Sequence, residues 1–306
     1  MGQRLIGVDV GGTKVSVAVL EDGRLSPPRL RPTDLSSSDA LVEQLVTAVS
    51  EEGPADAVGL GVPSVIDFAS GTARSSVNIP LQGVPLRHLL SDRLQTPTFV
   101  DNDATVAALA EAHDDDMRPV ADILVMFTVG TGVGGGIVIG GRIFRGATGA
   151  APEIGHTIVA ADLARGAPPA ADFPHPASLE HHAAGRALDR LGEARGIGDG
   201  LAVVAAAQRG DAAACEALRI LGGALGVGIA NAINTFDPDL VVVGGGVSRA
   251  GELLLEPARE AAARFVIPGV GSRTEIRLAR WGPEAGVRGA ALLAGQELEA
   301  HQEVQV

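Results

Sequence analysis

Two stretches of this chain are built to one plan, and they constrain its fold more than any other feature. Residues 5–20 read LIGVDVGGTKVSVAVL, two apolar runs joined by Gly-Gly-Thr. Residues 123–141 read ILVMFTVGTGVGGGIVIGG, again two apolar runs around a glycine-rich turn. Each pattern predicts strand, turn, strand, because the flanking runs have strand length and glycine frees the backbone for a tight turn. The second stretch is long enough to span a bilayer, but its glycines and threonines divide it. Residues 220–236 (ILGGALGVGIANAINTF) are the other long uncharged run, and read as a buried helix with glycines where another backbone comes close.

Around these units the chain alternates. Further strands are expected near 24–31, 55–62, 97–101, 142–144, 239–244 and 274–279. Helices are expected at 39–52, near 86–95, from Asp103, at 178–192, 200–208, 211–236, 248–265 and 284–300. Residues 161–177 (ADLARGAPPAADFPHPA) read as an irregular loop. Strands first and then alternating strands and helices define an α/β protein with mixed sheets. The apolar fraction is 46% with only 3% aromatic residues and no Tyr, so the core is built from small, branched side chains. A length of 306 residues fits two domains at roughly 100–200 residues each. Two related lobes facing each other would bring both glycine turns into one cleft.

Charge narrows the partners. Lys and Arg total 24 against 37 Asp and Glu, a net charge of −13. A nucleic-acid or anionic-membrane surface needs a basic face, so neither partner is expected. A phosphate ligand would have to be met locally, by backbone N–H groups, a few cations and a metal ion. The single cysteine, Cys215, forms no internal disulfide and reads as a small buried hydrophobe. This usage fits a reducing cytoplasm, and no leader pattern precedes the first strand.

The chemistry lies where strands end. In DVGGTK, Gly11 and Gly12 let a phosphate approach the backbone, and Thr13 can donate to it. Asp9 can hold a hydrated Mg²⁺, and Lys14 adds positive charge. A tight hairpin with a solvated Asp is the plainer reading of the same residues. No Walker loop occurs. In TVGTGVGGG, Gly130, Gly132 and Gly135 fit G-x-G-x-x-G, yet a dinucleotide fingerprint should open a helix and a strand follows here. A second phosphate turn with Thr131 as hydroxyl donor fits better. In LVVVGGGV, Gly244, Gly245 and Gly246 leave a flat floor for a planar ring, or simply a strand–helix loop. In VDNDATV, Asn102 and Asp103 suit a helix N-cap, and Asp103 also suits a base beside an attacking hydroxyl, with Asn102 positioning a neighbouring one. EIGH (153–156) and EHH (180–182) supply carboxylates and imidazoles of the kind that hold sugar hydroxyls; His181 and His182 read better as a polar helix face.

Taken in order, DVGGTK, VDNDA, TVGTGVGGG, EIGH and DPDLVVVGGGVS resemble the ROK family of bacterial sugar kinases and repressors, most closely its glucokinase branch, from about residue 5 to about 295. The resemblance implies a two-lobed actin-like ATPase (ribonuclease H-like) fold with an interlobe cleft. Residues 1–115 with 286–306 would form the smaller lobe and 116–285 the larger. It implies ATP with Mg²⁺: Asp9, Gly11, Gly12, Thr13 and Lys14 at one phosphate site, Gly130, Thr131 and Gly132 at a second, and Gly244, Gly245 and Gly246 by adenosine. Asp103 matches the family's catalytic base. Asn78, Asn102, Glu153, His156 and Glu180 match its sugar-contacting positions, and homodimers are common.

The resemblance breaks at one place. The family usually carries a zinc motif, Cys-x-Cys-Gly-x-x-Gly-Cys-x-Glu, after the EIGH histidine. Here the region reads AADFPHPASLEHH, with Ser178 at the last cysteine's position. A site from His156, His175, His181 and His182 would lack thiolates and have irregular spacing, so no structural zinc is expected. The expected activity is phosphorylation of the primary hydroxyl of glucose or a close relative. A kinase for a modified acceptor, such as the amino sugar kanosamine or a C7-cyclitol, is the second expectation, motivated by the missing motif. A sugar-sensing repressor is the third. Its family members place a helix-turn-helix before the first phosphate motif, which begins here at residue 5.

Overall fold

The computed structural model describes residues 2–76, 78–164, 166–167 and 171–304. Within the loop expected at 161–177, Arg165 and residues 168–170 lie outside the described residues.

The chain opens with a hairpin, β1 (Arg4–Val10) and β2 (Lys14–Glu21), in the register Asp9↔Ser16 and Val10↔Val15. Two short strands, β3 (Arg24–Leu25) and β4 (Arg29–Pro32), both pair with β2 in place of the single strand expected at 24–31. Helix α1 (Ser38–Ser50) starts on a Ser37 cap, whose hydroxyl accepts from the Ala40 N–H. There follow β5 (Ala57–Val62), β6 (Ser64–Asp67), β7 (Thr72–Ser76), α2 (Leu86–Leu94), β8 (Thr98–Asn102) and α3 (Asp103–Glu111). The β6–β7 hairpin is an addition to the sequence expectation; its strands are only four and five residues long and carry no apolar alternation. The later elements are β9 (Ile123–Val129), β10 (Val133–Ile139), β11 (Arg142–Ile143), α4 (Leu179–Ala183), α5 (Gly185–Glu193), α6 (Gly200–Gln208), α7 (Ala212–Phe236), β12 (Leu240–Gly244), α8 (Glu252–Phe265), β13 (Glu275–Leu278) and α9 (Ala285–Val304). The helix expected over 178–192 is broken at Ala184, whose backbone is extended at φ −73° and ψ 166°.

By their contacts the residues form two compact units, one of 1–121, 136–151 and 280–306, the other of 122–135 and 152–279. In the first, the sheet runs β3-β2-β1-β5-β8, with β4 on β2. Strands β1, β5 and β8 are parallel, so Asp9, Gly61 and Asp101 lie in one row near their carboxyl ends. Ile6, Val8, Val58, Leu60 and Val100 pack with Leu41 and Leu45 of α1 and Leu86 and Leu90 of α2 in one buried cluster. Helix α9 lies on β1 and β5, and it can come that close because Gly7 and Gly59 are paired across the two strands. A Cβ at Gly7 would overlap the Val287 carbonyl, and one at Gly59 the Ala290 carbonyl.

In the second unit, β9, β12 and β13 are parallel, with Gly244 opposite Thr128 and Val243 opposite Leu278. Helix α7 is long and apolar enough to cross a membrane by composition. It buries Leu218, Leu221, Leu225, Ile229 and Ile233, and packs on α8, α6 and α4.

Candidate active site

Both units place their chemistry at the carboxyl ends of parallel strands, where α/β sheets open crevices for ligands. In the first unit, Gly11 donates its N–H to the Lys14 carbonyl at 2.8 Å and closes the turn after β1. Thr33 fixes the same turn from outside: its hydroxyl donates to the Gly11 carbonyl at 2.7 Å and its N–H to the Thr13 carbonyl at 3.1 Å. Thr13 and Lys14 are exposed at the tip. Asn78 lies beside the turn, its carbonyl 3.8 Å from where a Gly12 Cβ would be. Thr33 escaped the sequence reading, since a lone threonine after Pro32 carries no motif.

Asp9 and Asp103 share this edge. Asn102 caps α3: its carboxamide oxygen accepts from the Ala104 N–H at 3.0 Å and the Thr105 N–H at 3.2 Å, and its amide donates to the Ser64 carbonyl at 3.3 Å. Asp103 is therefore the first residue of the helix, where the macrodipole favours a carboxylate, and its Oδ1 accepts from the Ala104 N–H at 2.8 Å. Burial nevertheless raises the Asp103 pKa above the ordinary carboxylate value, the hydrogen bonds opposing. The Asp9 carboxyl is pushed up to about 7, first by burial and then by the Asp103 charge, with Lys14 pulling the other way. The start of α9 closes over it, since a Cβ at Gly286 would lie 2.5 Å from the Asp9 Cγ. Two carboxylates that resist joint ionisation form a local excess of negative potential, which suits a cation.

The same unit holds an ion cluster that sequence reading missed. Arg145 donates to Asp101 Oδ2 at 2.7 Å and to Glu297 Oε1 at 3.1 Å. Its guanidinium lies 3.5 Å from the centroid of the Phe68 ring. The three ionic residues come from 101, 145 and 297, and no spacing links them.

In the second unit, the turn after β9 is held by its neighbours. Gly130 donates to the Gly132 carbonyl at 2.9 Å, Gly185 at the start of α5 donates to the Gly130 carbonyl at 2.7 Å, and Glu180 Oε2 accepts from the Val133 N–H at 2.8 Å. Thr131 is exposed, and nothing lies within 4 Å of where a Gly130 Cβ would be. After β12, Gly244 is buried while Gly245 and Gly246 are exposed. Gly245 has φ +88°, and a Cβ there would overlap the Val129 carbonyl, so the two strand ends meet backbone to backbone. Within this unit the turn predicted for the second phosphate and the one predicted for adenosine are thus brought together.

Glu153, His156 and Glu180 also gather. His156 Nε2 lies 3.9 Å from Glu153 Oε2. Partial burial raises the Glu153 pKa, His156 lowers it and the Glu180 charge raises it again. The four histidines weighed as metal ligands do not converge. His175 Nδ1 already accepts from the Ala177 N–H at 3.0 Å, His181 and His182 meet edge to face, and His156 lies against Phe173. Among the described residues no three His, Cys, Asp or Glu side chains could hold one metal ion. A zinc site of the family's kind does not fit these residues.

A mixed α/β protein whose parallel strands end on a carboxylate pair in one unit and on paired glycine turns in the other has the actin-like ATPase fold. The chain belongs to the ROK family, whose model matches residues 5–297. It is 33% identical to a glucokinase of Halalkalibacterium halodurans, over 95% of each chain. It is similar to the crystal structure of a ROK hexokinase from Thermus thermophilus, with a TM-score of 0.79 and 33% identity over 97% of this chain and 99% of that one. It is also similar to a ROK glucokinase from Streptomyces griseus solved with glucose and AMPPNP, with a TM-score of 0.77 and 32% identity over 96% and 99%.

Proposed function

We propose that this protein is an ATP-dependent sugar kinase that phosphorylates the primary hydroxyl of glucose to give glucose 6-phosphate. The observation that carries the reading is Asp103, a carboxylate of raised pKa on the first turn of α3, beside Asp9 at the ends of parallel strands. The glucokinase relatives support glucose as the acceptor, and the AMPPNP complex of one of them supports ATP as the donor.

Asp103 accepts the hydroxyl proton as the γ-phosphoryl moves in line to the sugar oxygen. The backbone N–H groups of Gly11 and Gly12, with the Thr13 hydroxyl and Lys14, meet the phosphate charge from the first unit. Gly130, Thr131 and Gly132 do so from the second, and Gly244, Gly245 and Gly246 lie against adenosine. Asp9 would hold Mg²⁺ through water, and the bound ion neutralises charge on the phosphate oxygens. Asn78, Asn102, Glu153, His156 and Glu180 receive the sugar hydroxyls. In this division of labour the first unit works as the catalytic lobe and the second as the nucleotide lobe. We further propose a cytoplasmic homodimer without nucleic-acid or membrane partners; the net charge of −13 argues against a basic docking face.

The test is ADP release with Mg-ATP against glucose, other hexoses, an amino-glucose and a cyclitol, with Asp103→Asn as the blank. Strong turnover on glucose is expected, falling about 10³-fold in the variant while the fold is kept. Near-normal turnover in Asp103→Asn would remove the assignment, and a better modified acceptor would move the enzyme to another substrate.

A further inference from the structure

The segment that carries Glu153, His156 and Glu180 is tied at its base by backbone hydrogen bonds. Its two limbs form a short hydrogen-bonded neck. Val159 donates to the Ala177 carbonyl at 2.9 Å, Leu179 donates to the Thr157 carbonyl at 2.8 Å, and Ile158 bridges Ser178 in antiparallel fashion. Ser178 is fully buried, and its hydroxyl accepts from the His181 N–H at 3.3 Å, so it caps α4 where the family's last cysteine would stand. Leu179 is fully buried beneath it. The neck fixes Glu180, which in turn holds the glycine turn through Val133.

His156 has a different anchor. Its Nδ1 is buried without a hydrogen-bond partner among the described residues, and its ring meets Phe173 edge to face at a centroid distance of 5.6 Å. Phe173 is 80% exposed. Among the described residues its aromatic partner is the imidazole. A bare Nδ1 costs less to bury than an N–H, so the neutral ring carries its proton on Nε2, the nitrogen nearest Glu153. A metal bound at Nδ1 would fix that same tautomer and orientation.

We propose that this kinase has a metal-independent acceptor loop, in which the neck of residues 157–159 against 177–179 closes the segment and Phe173 is the positioning residue for His156. The inference rests on the reading of His156 as a sugar contact. Its disagreement with the family's zinc motif is the point at issue, and the donors in this chain support the disagreement.

The test begins with the purified enzyme, its metal content and glucose titration calorimetry before and after a zinc chelator. Less than about a tenth of a zinc per chain and unchanged glucose affinity are expected. Stoichiometric zinc, or glucose binding lost on chelation and restored by zinc, overturns the proposal. Phe173→Ala should raise the glucose KM about tenfold, with a much smaller change in kcat and in the ATP KM. Phe173→Tyr, which keeps the ring, should restore most of it. A general loss of structure would instead lower kcat and melting temperature together, and an unchanged glucose KM would rule Phe173 out. Hydrogen exchange across 153–180 separates the two readings. If no hexose is turned over but these amides stay protected through chelation, the functional reading fails and the metal-free closure stands.

Discussion

The polar residues of the first unit and those of the second are held by opposite means. Asp9, Asp101 and Asp103 stand on strand ends or the helix turn that follows, beneath α9, and Arg145 ties Asp101 to Glu297. Glu153 and His156 stand on a loop and a single 3-10 turn, with side chains 57% and 36% exposed, and Glu180 on a five-residue helix. The first arrangement spends stability to keep carboxylates where water is scarce. The second spends little and depends on the neck and on Phe173 for its order. A base must keep one position relative to the transferring group. An acceptor pocket must receive and release a hydroxyl-rich ligand. On the proposed roles, the difference in construction follows the difference in task.

The comparison can be broken most sharply at Asp103. Asp103→Asn should cost about 10³-fold in kcat, whereas no single change at Glu153, His156 or Phe173 should approach that. Stability should move the other way. The folded-state pKa of Asp103 lies above its ordinary value, chiefly through burial, so ionising it opposes folding. That contribution is absent well below the ordinary carboxylate range and grows as pH rises through the raised pKa. Asp103→Asn should therefore melt higher than wild type at pH 8, with the gap closing in acid. The wild-type acid limb of kcat/KM should likewise lie above the ordinary carboxylate range, because the base must be ionised. A limb at ordinary carboxylate pH together with a lower-melting variant would defeat this account.

Arg145→Ala comes next. It leaves Asp101 and Glu297 buried with like charge, at a cost of about 3–5 kcal/mol in unfolding free energy. Denaturant unfolding measures this. Arg145→Lys should recover part of it, because one ammonium can reach only part of what the guanidinium fork bridges. A loss below about 1 kcal/mol for Arg145→Ala would mean that the cluster is solvated like a surface pair.

Both regions differ again in how well the sequence announced them. The hairpin of β1 and β2, the strand-to-helix step at Asn102 and Asp103, and the glycine ends of β9 and β12 were legible. Each is a local contrast between an apolar run and a turn or cap residue. The gathering of Glu153, His156 and Glu180 followed from the family resemblance rather than from spacing. What stayed hidden is non-local or chemically bland. Arg145 finds its partners 44 and 152 residues away, Thr33 reaches back to the Gly11 turn, and Gly286 is one glycine among 41. The break at Ala184 was equally silent, since alanine is a good helix former and the bend comes from Gly185 donating to the Gly130 carbonyl. Phe173 sat in a Pro- and Ala-rich loop where nothing marked its ring as a partner of His156.

Glu180 is where the comparison gives its smallest and finest reading, because this residue belongs to the acceptor segment yet grips the glycine turn. Glu180→Gln keeps an oxygen that can accept from the Val133 N–H, and loses only the charge. Its glucose KM should rise by roughly three- to tenfold, as a charged hydrogen bond to a hydroxyl becomes a neutral one, while the ATP KM stays near wild type. Glu180→Ala also removes the acceptor on which the Val133 N–H depends, so its ATP KM should rise as well. Steady-state kinetics of both variants with each substrate varied in turn will tell. If alanine and glutamine behave alike, the hydrogen bond to Val133 carries nothing between the two sites, and the glycine turn is held by Gly185 alone. If they diverge in the ATP KM, the loosely built region steadies part of the nucleotide site, and the contrast between rigid and adaptable halves ends at this residue.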